Sequence, residues 1–563
     1  MKYLGLFMLL VVLLLGWRVD ARKKPAPKPV PPPQKVLPRP ETGRKDTVIK
    51  GTTLEVYQQY EPELKPIQKP EFQPGLPPKP TTKAQQVYEV PQQNLYYSYR
   101  ALPLRPLALG KDTTHPAHAD YLLLGGGNLA TVLAEFGIGS LHGSNWQTAF
   151  QGRYLTQEGN LEGQVYRTLL LKGTGTMVQG HQLLEADIQA SRNVVGAYGY
   201  DHDQHQYAFT DIRRILTSGA VNFGFSDAVP NTLGIHYHPE VNVGYFAATT
   251  IDHEVRMNLS LPVSKQFDSN FSAGIGVNTW VAKTTLLKDS RNNSIIQVTP
   301  GIDFHRESFN AHLGLYPSFG AGNSYLLPDI NASLKLKNSN AVLSISWKST
   351  LIQNTAQQLY LANPYLAGDS SIYGLQTKSD AVIARLGLGL GKHLSVWAAG
   401  GWQHYMNLPL FVSKRGGDGK DFTIIYDPQV QAITWSGGID YAVGRDLILG
   451  ASGLWYNYYN KTYDYVWNAP LVHLKGHAIW RPIHNLSVTA DLEFMDQMWG
   501  LNAAGNSQKL SGVVDLDAAA EYSFMQRLNI FIKVDNILNA KNERWLGYPS
   551  YGVNIYGGLR FLF

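Results

Sequence analysis

His236, His238 and Glu240 recur at every second residue around Tyr237. In an extended chain that spacing puts all three on one face, opposite Ile235, Val241 and Val243, and two imidazoles beside a carboxylate are a metal-ligating set. A polar wall that merely tolerates histidine has the same pattern, and that reading is carried forward, with no metal and no cofactor expected. Asp201-His-Asp-Gln-His205 gathers the same ligand types in what reads as a mobile external loop. Asp491, Glu493, Asp515, Asp517 and Glu521 form a third group, with His473, Lys475 and His477 on a nearby segment able to pair with them. Close carboxylates can do acid–base work. No Ser/His/Asp set can be tied to them from the sequence, so a non-enzyme is expected and the acids are read as lumen polarity.

All three groups sit in segments that alternate apolar and polar residues. Val255–Val263, Ile330–Leu336, Leu343–Trp347, Val382–Leu388 and Leu486–Phe494 carry Val, Ile, Leu, Trp and Phe on one face. Arg, Asn, Ser, Lys, Asp and Glu occupy the other. A period of two repeated over some hundreds of residues is what strands facing lipid on one side and water on the other require. Only 16 % of residues are charged against 53 glycines, 32 tyrosines and 12 tryptophans, which suits lipid-facing strands with aromatic girdles. Tight turns at 265–270, 306–309, 337–340, 391–393, 444–446, 481–485 and 525–527 alternate with long links at 353–375, 408–427, 457–470, 495–508 and 539–552. The pattern predicts an all-β, antiparallel transmembrane barrel of about 22 strands over residues 119–563, short turns in the periplasm and long loops outside.

The first residues read differently. Met1-Lys2-Tyr3 precedes an apolar run from Leu4 to Trp17, and Val19-Asp20-Ala21 offers small residues where a signal peptidase reads, so residues 1–21 are expected to be a signal peptide. Residues 22–118 are proline-rich and basic, an extended arm rather than a core-forming domain, placed in the periplasm with a partner of its own. The absence of cysteine excludes disulfides, thiolate metal sites and a lipid anchor on cysteine. The basic excess is concentrated in the arm, and no nucleic-acid partner is expected.

The chain ends in Tyr551, Val553, Ile555, Leu559, Phe561 and Phe563 on one face, with Asn554, Tyr556 and Arg560 on the other. Such a strand would be an aggregation-prone edge in a soluble sheet, whereas closing a barrel removes the edge. Phe563 on this strand looks like the sorting signal of bacterial outer-membrane proteins. Upstream, Asn536, Asn539, Gly547, Tyr548, Pro549, Gly552 and Gly558 stand in the order in which the last two strands of TonB-dependent receptors carry an Asn-Leu-Phe-Asn-type motif, a Gly-Tyr-Pro loop and a final Gly-Leu. The C-terminal region therefore resembles that family, closely over about thirty residues and elsewhere at the level of architecture. The resemblance implies a Gram-negative outer-membrane barrel that imports a nutrient, with outer-membrane lipid around it and surface lipoproteins or other outer-membrane proteins as partners. Members carry a folded plug of well over a hundred residues, and the arm is too short and too rich in proline for one. Thr53-Leu-Glu-Val-Tyr57 resembles a TonB-binding peptide, and engagement of TonB is left open. A non-transporting scaffold subunit of an outer-membrane complex is the alternative.

Overall fold

The computed structural model of the protein describes residues 120–563 apart from positions 230, 287 and 338. The expected signal peptide, the arm, its Thr53–Tyr57 peptide and the question of a plug lie outside the described residues. Twenty-two antiparallel strands form one closed wall. Two of them are each broken at a proline: Ile235–Tyr237 resumes as Glu240–Ala248 beyond Pro239, and Ser290–Val298 resumes as Gly301–His305 beyond Pro300. Proline offers no N–H to the ladder, so pairing lapses there. The wall closes where the first strand, Tyr121–Gly127, pairs with the last, Asn554–Leu562, Leu123 lying opposite Arg560. A Cβ on Gly558 would lie 1.9 Å from the Leu124 carbonyl oxygen, so this seam needs a residue without a side chain.

Strand alternation follows the sequence pattern. Ile188, Val221, Ile275, Ile345, Trp435 and Ile532 point outward and are each more than 40 % exposed. A soluble surface does not carry so continuous an apolar band, whereas lipid solvates it. Among the described residues no helix is long and apolar enough to cross a membrane, and crossing is left to the strands. The interior is polar over most of the wall. The seam departs from that pattern: inward-facing Leu123, Leu133, Leu155 and Tyr556 are buried together against Tyr121, Tyr166 and Phe531.

The two rims differ. One carries only short links, such as 180–181, 391–393, 484–485 and 526–527. The other carries long loops at 197–212, 354–375, 407–429, 460–471, 496–512 and 536–553. Regular alternation of short and long links holds from residue 353 onward. Earlier in the chain the second rim also has tight links, as short as 249–250 and 321–322. At the latter, Ala321 (φ 48°) and Gly322 (φ 78°) are both left-handed, the geometry of a two-residue hairpin.

Candidate gate over the barrel mouth

Three of the long loops leave the wall between the fifth and sixth, the thirteenth and fourteenth, and the last two strands, roughly a third of the circumference apart. Side chains from such loops can meet only over the lumen. They do: Tyr365 stacks on Tyr548 with centroids 3.7 Å apart, and Tyr198 packs edge-on against Tyr548 at 4.9 Å. The Tyr198 hydroxyl donates to the Pro549 carbonyl (2.9 Å) and the Tyr548 hydroxyl to the Lys420 carbonyl (2.6 Å). Burial pushes the Tyr365 and Tyr548 phenols well above their ordinary range, so both remain neutral donors. Two glycines permit the convergence. Gly547 is left-handed (φ 79°), with its absent Cβ 3.0 Å from the Gly199 carbonyl, and a Cβ on Gly199 would strike the Tyr548 ring at 2.1 Å.

A dry core surrounds the stack. Leu359, Tyr360, Leu366, Ile372, Tyr373, Phe422, Ile424 and Trp545 from the loops bury against Phe246 and Leu286 at the top of the wall. A second cluster joins loops 407–429, 460–471 and 496–512 through Leu410, Val412, Val466 and Trp467, with Tyr465 stacked on Trp499 at 4.3 Å. The loops thus form a lid.

Charged groups fasten the lid to the wall. Glu254, fully buried on Ile251–Gln266, accepts from Thr284 Oγ1 (2.9 Å) and from the backbone N–H of Ala356 (2.6 Å) and Gln357 (3.2 Å). Those amides open the helix Ala356–Ala362, whose first turn is also closed by a Thr355/Gln358 capping box. Arg256 stands 3.7 Å from Glu254 and also bonds Gln357. Arg214 pairs with Asp421 of loop 407–429. In the same loop Asp418 accepts from the Tyr207 hydroxyl (2.6 Å) and from Lys420. Desolvation pushes the Asp418 carboxyl up, but the bonds from Lys420 and Tyr207 outweigh it and hold the group below its ordinary value.

The residues singled out in the sequence lie at both ends of the wall, His236 and His238 beside the short-link rim and Glu493 near the loop-bearing rim. His236 pairs with Asp227 at 2.7 Å, while His238 lies 3.3 Å from Glu185 and 3.1 Å from Glu240. Each imidazole is taken up by wall carboxylates, and among the described residues no group of three or more ligands could hold a metal. Asp201–His205 lies in loop 197–212 and is mostly exposed; His202 bonds the Tyr198 carbonyl at 3.0 Å, and Asp201 caps its own turn at the Asp203 N–H. The pairing anticipated for His473 and Lys475 is present, both reaching Glu493, at 2.7 and 3.4 Å. Asp491 faces Asp517 across the ladder, Glu493 faces Asp515, and Glu521 bonds Arg560 at 3.3 Å.

Asn536 and Asn539 are both left-handed (φ 51° and 49°) and close the base of loop 536–553. Asn536 donates to the carbonyls of Ala540 and Tyr551, and Asn539 Oδ1 accepts from the Val553 N–H. Gly552 leaves room for that Asn539 oxygen, 3.1 Å from its absent Cβ. The motif thus builds the arm that delivers Tyr548 and Pro549 to the centre of the lid. Along the last strand Ile555, Leu559, Phe561 and Phe563 face outward and are exposed, Tyr556 is buried inside, and Val553 and Tyr551 fall in the preceding loop. Sequence reasoning missed Tyr198, Tyr360, Tyr365, Glu254, Arg256 and the Arg214–Asp421 pair. Only the aromatic richness of the long links hinted at them.

A closed barrel of this strand number, apolar outside and polar within, defines the class: a β-barrel of outer-membrane type. The sequence matches no protein-family model and no curated protein. The fold has relatives among solved structures. The FrpB iron transporter from Neisseria meningitidis is similar over 79 % of this chain and 81 % of that one, with TM-score 0.60 and 10 % identity. The siderophore receptor PirA from Acinetobacter baumannii gives 0.59 at 10 % identity, covering 79 % and 80 %. The copper transporter OprC gives 0.59 at 11 % identity, again over 79 % and 80 %. The likeness to these receptors and transporters is one of fold, the closed antiparallel barrel, at 10–11 % identity.

Proposed function

We propose that the protein is a gated transporter in the Gram-negative outer membrane, importing a nutrient, with the loop-bearing rim outside and the lid as its outer gate. The observation that carries this reading is the meeting of Tyr198, Tyr365 and Tyr548 over a polar lumen. A 22-strand wall is wide enough to conduct when empty, so closure must come from within the mouth or the lumen. Single-channel conductance tests the lid. Replacing Tyr365 and Tyr548 by Ala in a chain lacking residues 22–118 should open a steady conductance that deletion of 22–118 alone does not. A deletion strain should lose uptake of one nutrient. Full conductance from the 22–118 deletion alone would move closure to the arm.

One observation favours a second reading, a non-transporting scaffold. Burying a large apolar side chain contributes about 1.5–3 kcal/mol. Phe246, Tyr360, Leu366, Ile372 and Phe422 are each at or below 1 % exposed, so opening the whole lid costs on the order of 10 kcal/mol. A ligand with a 10⁴-fold preference for one state supplies only about 5.5 kcal/mol. Stoichiometric recovery of surface lipoproteins or other outer-membrane proteins in mild detergent, without an uptake defect, would decide for the scaffold. The periplasmic placement of the arm, a partner for it there and contact with TonB belong to the same proposal, and cross-linking from residues 22–118 in whole cells tests all three.

A further inference from the structure

One stretch of the wall below the loop-bearing rim is not laddered. Phe309–Gly320 pairs with Asn323–Lys335 up to that rim, and Ala341–Gln353 with Gln376–Leu390 likewise. Between these two hairpins pairing runs from Lys335 with Val342 only as far as Asp329 with Lys348. The next residue up is Pro328, which has no N–H to give, and residues 323–328 and 349–353 run unladdered to each other. The other flank of the first hairpin is interrupted too. Gly314 pairs with Gly301, and pairing resumes only beyond Pro317, as Ser318–Gly320 with Ile295–Gln297. Pro317 and Pro328 thus stand near one level, beneath a hairpin tip held to the wall by three ladder pairs on one side.

Side-chain amides close the wall behind that tip. Gln376 Nε2 donates to Asn293 Oδ1 (2.7 Å) and to the Ser294 carbonyl (2.8 Å). Gln353 Nε2 donates to the Asn293 carbonyl (2.7 Å), and Asn293 Nδ2 to the Leu375 carbonyl (3.2 Å). This clasp joins Ser290–Val298 directly to the tops of the second hairpin, past the first. A Cβ on Gly320 would lie 2.2 Å from Gln376 Oε1, and Gly320 alternates with outward Phe319, so the clasp is on the luminal side of the tip. Leu327, on the inner face of the tip, is fully buried, while Leu315, Phe319 and Leu326 are exposed on its outer face. An unladdered backbone edge is costly against lipid, and each amide bond that closes this one is individually weak. The wall can part here without unzipping a ladder. Its inner edge would then be uncharged amide and its outer edge apolar.

We propose that the hairpin tip 318–327 is a lateral flap, hinged at Pro317 and Pro328, that opens the lumen to the outer leaflet and passes an amphiphile with an uncharged or zwitterionic head and an acyl tail. The inference needs the loop-bearing rim to face outward and does not need the lid to open, so conductance of the lid variants leaves it untouched. The chain has no cysteine, so Leu327→Cys is its only thiol. In the purified full chain in phosphatidylcholine vesicles, that thiol should react slowly with pyrenyl maleimide, a lipid-soluble reagent. Adding Asn293→Ala and Gln376→Ala should speed the reaction by about tenfold or more while heat-modifiable gel mobility persists. Should that variant fail to fold, Gln353→Ala alone should speed it about twofold to threefold. The cargo class has its own readout. A benzophenone side chain in place of Lys348, on the luminal face at the foot of the gap, should capture a fluorescent lysophosphatidylcholine from the bilayer, and more of it when the clasp is cut. An unchanged thiol rate in the folded clasp variants overturns the flap. Absence of capture, or equal capture by benzophenone at Lys475 further round the lumen, overturns lateral passage.

Discussion

Wall and lid are made from the same residue types and bury them in opposite directions. In the wall, Leu, Ile, Val and Trp alternate with polar residues and turn outward, and a seam glycine such as Gly558 lets strands approach closely. In the lid, Tyr, Phe and Trp from loops with no repeating period turn inward, and Gly199 and Gly547 let whole loops cross. The wall is solvated by lipid and held by backbone ladders, so its side chains are individually replaceable. The lid loops meet through isolated backbone bonds, such as those of Phe422 with Tyr365 and Ala367, and otherwise depend on particular aromatic contacts and buried charges. A substitution should therefore injure one region without the other.

Tyr548→Ala should separate them most sharply. Truncating a large buried aromatic costs about 3–5 kcal/mol, and the loss should appear as protease sensitivity of loops 354–375 and 536–553 while the heat-modifiable gel mobility of the barrel persists. A variant that also loses that mobility would show lid and wall to be one cooperative unit. Leu559→Lys attacks the wall instead, at about 2–4 kcal/mol near mid-bilayer, and Phe561→Lys, closer to the strand end, should cost less. Both should lower the yield of heat-modifiable barrel and leave the lid of the surviving fraction protease-resistant. Deleting Phe563 removes no mid-bilayer contact, yet it should reduce assembly further than either, as the resemblance to sorting signals implies.

Glu254→Gln tests the fastening between the two. It removes the charge that accepts from the Ala356 and Gln357 amides, worth about 1–3 kcal/mol when buried donors lose their partner. Faster hydrogen exchange at those two amides, with the rest of the wall unchanged, is the expected result. The Asp418 contact gives a pH test. Because its folded pKa lies below the ordinary 3.8, its stabilisation is fully present above that value and is lost as pH falls through the folded pKa. Lys420, raised above 10.5, loses its share only as pH climbs past that raised value. Protease resistance of loop 407–429 should thus fall at the acid extreme, and Asp418→Asn should flatten that response. Arg560→Ala should be the smallest effect, at most about 1 kcal/mol, because its pair with Glu521 is part-exposed. A larger loss would show that its cover over the Tyr121 ring matters more to the seam than the charge does.

Strand alternation, the tight turns of one rim and the outward face of Ile555, Leu559 and Phe561 were legible, because a two-residue period needs only local sequence and the contrast between lipid and water, whereas Tyr551 and Val553, expected on that face, belong to the preceding loop. Strand number followed from length in the same way. The polar pairs were half legible. Lys475 and His473 could be placed on a strand near Glu493, but a strand pattern does not say which carboxylate takes which cation. His236 and His238 were read as part of a polar wall, but the pattern did not say that they divide between Asp227 on one side and Glu185 with Glu240 on the other.

What the sequence by itself determined is the wall: strands, faces, turns and closure are all written in nearest-neighbour periodicity. What only the tertiary structure decided is the lid. Tyr198, Tyr365 and Tyr548 are separated by more than a hundred residues and meet because closure of the ring brings their three loops to face one another across the mouth. No local pattern encodes that meeting, since it depends on the circumference of the whole barrel. The Glu254 anchor has the same origin: an inward-facing acid on a strand looks like any other luminal charge until a loop from about a quarter of the way round the ring sets the first amides of its helix against it.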